Sequence, residues 1–119
     1  MRTLVSSLLW VASLCAQEKP AEKKEVPNPT NLKILKLTSG AEVRQVMRTF
    51  TTGLGVQCNY CHAQGSMASD ENPKKEVARH MIEMTQKINA GFADGKMHVT
   101  CFTCHRGAAE PKTAPDLKP

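Results

Sequence analysis

The five residues Cys58-Asn-Tyr-Cys61-His62 return near the end of the chain as Cys101-Phe-Thr-Cys104-His105. Cys-x-x-Cys-His is the attachment signal for haem of the c type, and its spacing has a mechanical reason. On one helical turn, residues three and four apart share a face. Both thiols can then add to the vinyl groups of a single porphyrin while the following histidine turns its ring to the iron. Two copies in one short chain leave little freedom. Each must be a helical turn with a flat apolar cofactor beside it, and each iron then has a far face that another residue either closes or leaves open.

Composition fits that demand. A chain of 119 residues suffices for one domain and is too short for two ordinary ones. Aromatic residues make up 4%, and the single tryptophan, Trp10, falls in the N-terminal segment, so the protein core is thin. Two haems would supply the missing apolar mass. The formal charge of +5 falls to about +1 once four haem propionates ionise. The aromatic interleaving of a nucleic-acid surface is absent, so no nucleic-acid partner is expected.

Taken in order, Met1-Arg2 and the apolar run to Leu14 read as a secretory leader, too short to span a bilayer. Ser13 and Cys15 place the cut before Ala16, which makes residues 1–15 a signal peptide. A lipid-anchored Cys15 is the alternative, with Leu14 a poor neighbour for it. Export to the periplasm, or to the outer face of the cytoplasmic membrane, suits covalent haem attachment, which needs an oxidising compartment. Residues 16–30 hold three prolines and mixed charges and are expected to be a disordered linker. Residues 31–111 are expected to form the folded domain, with 112–119 a flexible tail.

Within the domain, Asn31–Leu37 is a short apolar segment. Ser39 and Glu42 form a capping-box start, followed by Val43, Val46, Met47 and Phe50 on one helical face. Gly53-Leu-Gly55 ends that helix and turns the chain into the first motif. Asn72-Pro73 opens a second helix, which runs to about Gly91 with Val77, Met81, Met84 and Ile88 as its inner stripe. Arg79–Glu83 and Glu83–Lys87 are expected to pair on its other side. The fold class is thus mostly α: a small multihaem domain of two helix–turn–Cys-x-x-Cys-His units with long loops.

His62 and His105 are the expected proximal ligands, and Cys58, Cys61, Cys101 and Cys104 the thioether anchors. Met47 is the best distal candidate for the first iron, because its helix reverses straight into that motif. For the second iron, Met81 and Met84 share one stripe and geometry does not separate them. His80 reads as a flanking surface residue and Met67 as a loop residue. His98, three residues before Cys101, is too close to reach the far face of the same haem and is expected to be solvated, with ligation of another haem as the alternative.

Several stretches resemble the cytochrome subunit of photosynthetic reaction centres: Val46-Met47, Leu54–His62, Met67–Asp70, Val77–Thr85 and Val99–Gly107. The resemblance spans roughly Asn31–Pro111. It implies a helix with an axial methionine, a turn and a Cys-x-x-Cys-His helix in each haem unit. Carried over by position, it implies Met47 for the first haem and Met81, the earlier of the pair, for the second. The family's subunit holds four haems and this chain has two motifs, so it is similar to the first half of that subunit.

These readings lead to an exported dihaem c-type cytochrome that carries single electrons between redox proteins and is not an enzyme. Two covalent haem c groups would be its cofactors. A haem enzyme or gas sensor with one open distal site is the alternative, and a structural zinc site made of the four cysteines is a third reading.

Overall fold

The computed structural model describes residues 25–115. The expected signal peptide, the alternative lipid site at Cys15, most of the expected linker and the end of the expected tail lie outside the described residues. Among those described, three helices are joined by loops, and the only β feature is an isolated bridge between Ala63 and Ser66. The elements are α1 (Gly40–Leu54), a 3-10 turn at Cys58–Tyr60, α2 (Lys74–Ala90) and α3 (Cys101–His105). The mostly helical class read from the sequence is the class found.

The helix ends follow local chemistry. Ser39 Oγ accepts the Glu42 amide at 3.2 Å, and the Glu42 carboxylate accepts the Ser39 amide at 3.3 Å, the reciprocal box that satisfies two orphan donors. Hydrogen bonds from Ser39 hold the Glu42 carboxyl below its ordinary value. Gly55 stops α1 in the left-handed region at φ 65°, with its amide bonded to Thr51 O, a conformation glycine adopts without penalty. At the start of α2, Asn72 Oδ1 accepts the Lys74 amide at 3.0 Å. Gly91 closes the far end of α2.

Tertiary packing is sparse. Val26 and Pro27 lie against the buried Gly40, and Asn28 Oδ1 accepts the Gly40 amide at 3.3 Å. α3 packs on the C-terminal end of α1. A Cβ on the buried Gly53 would lie 3.0 Å from Cys101 Cβ, and the Gly107 amide donates to Gly53 O at 2.9 Å. The first helix therefore touches the second motif, an approach so close that a side chain at Gly53 would press on Cys101.

No apolar side chain among the described residues is fully buried. The stripe expected to face inward on α2 does not: Val77, Met81, Met84 and Ile88 are 53%, 41%, 43% and 42% exposed. The covered side of α2 carries Lys75, Arg79, Ile82 and Asn89 instead, which at 100° per residue lies opposite the apolar stripe. The expected Arg79–Glu83 pair is also replaced. Arg79, the single buried charged residue among those described, bonds Glu76 at 2.9 Å and Asp70 at 2.7 Å. Glu83 has His80 at 3.9 Å. The guanidinium fork holds the loop carboxylate and a carboxylate of its own helix at once.

Candidate haem-binding site

Both motifs form a helical turn. At the first, the Cys61 and His62 amides bond to Cys58 O at 3.3 and 3.0 Å. The second is α3 itself, started by Thr100, whose amide donates to Thr103 Oγ1 at 3.0 Å. It is stopped by Arg106 and Gly107, both at positive φ (50° and 82°). The four cysteines are free thiols, one of each pair half-buried and one exposed. The sheltered member differs, Cys61 in the first motif and Cys101 in the second, and burial pushes both thiols up.

The two histidines are set identically. His62 Nδ1–H donates to Met67 O at 2.9 Å, and His105 Nδ1–H donates to Ala108 O at 3.0 Å. A carbonyl can only accept, so Nδ1 carries the proton and Nε2 keeps its lone pair. That is the tautomer a metal-bound histidine needs, and a backbone carbonyl is a usual partner for its other nitrogen. Beside His105 an open cleft of ≈ 600 Å³ is lined by Cys104, His105, Ala108 and Pro115.

The loop after the first motif is stapled by side chains. Lys75 Nζ donates to the carbonyls of Met67, Ala68 and Ser69 at 3.0, 3.0 and 2.7 Å, and its side chain is only 12% exposed. Asp70 gathers Lys33 at 2.9 Å, Lys75 at 3.2 Å, Arg79 at 2.7 Å and the Asn31 amide at 3.0 Å. These bonds, Arg79 first, hold its carboxyl far below the ordinary range. Sequence reasoning missed this cluster. Its signal was present: an acid just before Asn72-Pro73, with cations at Lys75 and Arg79, one turn apart on the helix that follows.

The distal candidates differ in setting. Met47 is half-buried on α1. Met81 and Met84 are exposed to the same degree, so protein packing does not separate them. His80 and Met67 are surface residues as expected. His98 is more engaged than a solvated residue: Nε2–H donates to the Asp94 carboxylate at 2.9 Å, and its ring stacks on Phe92 with centroids 4.0 Å apart. Among the described residues no three Cys, His, Asp or Glu side chains converge as a metal-ion cluster.

Two short helical turns, each presenting paired thiols and an oriented imidazole, define the class of c-type cytochrome domains. Comparison with known proteins narrows it. The family model of the photosynthetic reaction centre cytochrome C subunit matches residues 9–115, and the chain belongs to that family. It is 41% identical over 91 residues to the photosynthetic reaction center cytochrome c subunit of Thermochromatium tepidum, covering 71% of this chain and 22% of that one. The same subunit of Rubrivivax gelatinosus is 41% identical over 86 residues, with shares of 69% and 23%. Cytochrome c-554 of Chloroflexus aurantiacus is 37% identical over 92 residues, with shares of 71% and 22%. The chain thus aligns with less than a quarter of the length of these relatives.

Proposed function

We propose that this chain is an exported dihaem c-type cytochrome domain, residues 31–111, that carries single electrons between redox proteins. The observation that carries this reading is the pair of histidines: each directly follows its motif's second cysteine, and each has Nδ1 committed to a carbonyl and Nε2 left for iron. The reversed α2 supports it. A helix that turns a charged face to its own protein and an apolar stripe outward needs something apolar to cover that stripe, and a porphyrin held by Met81 would do so. When bound, each haem would supply a one-electron ferric–ferrous couple.

Cys58 with Cys61, and Cys101 with Cys104, would anchor the two porphyrins. His62 and His105 would hold the irons, with Met47 and Met81 on the far faces and Met84 as the alternative to Met81. Thioether ligation raises the potential and leaves no iron position for a substrate, which makes the domain a carrier rather than an enzyme. A leader at residues 1–15, or a shorter one that leaves a lipidated Cys15 as the new N-terminus, would deliver the chain to the periplasm or the outer face of the cytoplasmic membrane. No helix among the described residues is long and apolar enough to cross a membrane. A reaction centre is one candidate partner, on family membership alone.

A redox-titrated optical spectrum with carbon monoxide added to the reduced protein tests this reading. Two one-electron steps and no binding of the gas are expected. Rapid stoichiometric binding at one haem would make the chain a haem enzyme or gas sensor instead.

A further inference from the structure

We propose that Lys75 tunes the first haem by acting on the carbonyl that accepts the His62 proton; this rests on the haem reading above. Met67 O takes two hydrogen bonds, from His62 Nδ1–H at 2.9 Å and from Lys75 Nζ at 3.0 Å. The ammonium is therefore one carbonyl away from the axial imidazole. It is also largely withdrawn from water, at 12% exposure, so its charge is poorly screened. Asp70, 3.2 Å from Lys75, is shared with Lys33 and Arg79, and Arg79 also holds Glu76, so three cations meet two carboxylates and the cluster is net positive.

The direction of the effect follows from the bond. A carbonyl already bonded to a cation has less electron density to offer His62 Nδ1–H. The imidazole keeps more of its proton, donates less strongly through Nε2, and favours ferrous over ferric iron. The charge itself acts the same way through space. Lys75 therefore raises the potential at which the first iron takes one electron from a one-electron reductant such as a donor protein. A role limited to stapling the loop has the opposite signature. With the loop released, His62 would lose its acceptor altogether, and the potential would rise in a variant lacking the lysine.

The test is potentiometry on the exported holoprotein and its Lys75→Met and Lys75→Arg variants, with haem content of the denatured chain measured alongside. Lys75→Met is expected to lower one potential and leave the other in place. The ferrous-to-ferric ratio at fixed potential should fall about tenfold, or about 59 mV for a one-electron couple. Lys75→Arg keeps the charge and is expected to restore most of that ratio. A rise in Lys75→Met, no change, or equal falls at both haems would overturn the proposal. If wild-type protein carries no haem on Cys58 and Cys61, the functional reading itself fails, and the haem assay reports that separately. If Lys75→Met does not accumulate, Lys75→Arg together with Lys75→Gln replaces it, and an unchanged potential in Lys75→Gln overturns the proposal equally.

Discussion

The two attachment turns share one five-residue pattern and are supported by different means. The first leads into a loop held by charged and amide side chains from a distance: Lys33 and Asn31 reach Asp70 from well upstream, and Lys75 and Arg79 reach it from α2. The second is supported by backbone. α3 starts on a threonine cap and closes onto Ala108 within three residues; its Cys101 lies against Gly53 of α1, and Gly107 just after it lies against Gly55. The motif thus fixes ligand order, while a carbonyl of the segment that follows it sets the histidine tautomer and the rest of the chain supplies the support. The first turn should respond to charge and pH, the second to added side-chain volume.

The largest expected effect is at the second turn. Gly55 holds φ 65°, and a Cβ there would strike Gly107 O. Gly55→Ala combines left-handed strain with that clash, and a loss of about 2–4 kcal/mol is expected, read from the chemical-unfolding midpoint. Haem retention at Cys101 and Cys104 should suffer first; equal loss at both motifs would erase the distinction between the turns.

Arg79→Met attacks the first turn. Removing a buried guanidinium that holds two carboxylates is expected to cost about 1–3 kcal/mol and to disturb the spectrum of one haem. Acid should act on the same place. The Asp70 carboxyl lies far below its ordinary value in the folded chain, so its contribution is whole above about pH 4 and is lost as pH falls below that. Wild type should therefore lose stability in that range, and Asp70→Asn, already lacking the charge, should lose less. Equal slopes for the two proteins would remove Asp70 as the hub.

Met81→Ala and Met84→Ala sharpen the comparison at the distal face. Met81→Ala is expected to keep haem attached, abolish the far-red sulfur–iron band of one haem and open that iron to carbon monoxide, while Met84→Ala keeps the band. The reverse pattern would move the ligand to Met84. The smallest effect belongs to His98, whose Nε2 is held by Asp94. His98→Ala should leave both potentials in place and cost about 0.5 kcal/mol; loss of a low-spin nitrogen ligand at either haem would show that His98 serves an iron.

What the sequence made legible was local. The Ser39 box, the Gly55 stop, the Asn72 cap and the two turns each depend on residues within a few positions, and they are where the pattern put them. The missed features join distant segments. Nothing near Gly53 says that Cys101 will lie on it, and nothing within α2 says that Arg79 will leave Glu83 for Asp70. The stripe of Val77, Met81, Met84 and Ile88 revealed that α2 has two faces. Which face the protein covers depends on what lies beyond it, and a cofactor is not written in the helical period.

Two porphyrins bound covalently to one chain underlie every expectation above, and the mass of the acid-denatured exported protein tests that most directly. The predicted result is the polypeptide plus two haems, falling to one firmly retained haem in Cys58→Ala and likewise in Cys101→Ala, each at its own motif. A denatured chain of bare polypeptide mass, or one that carries zinc and no haem before denaturation, would contradict it.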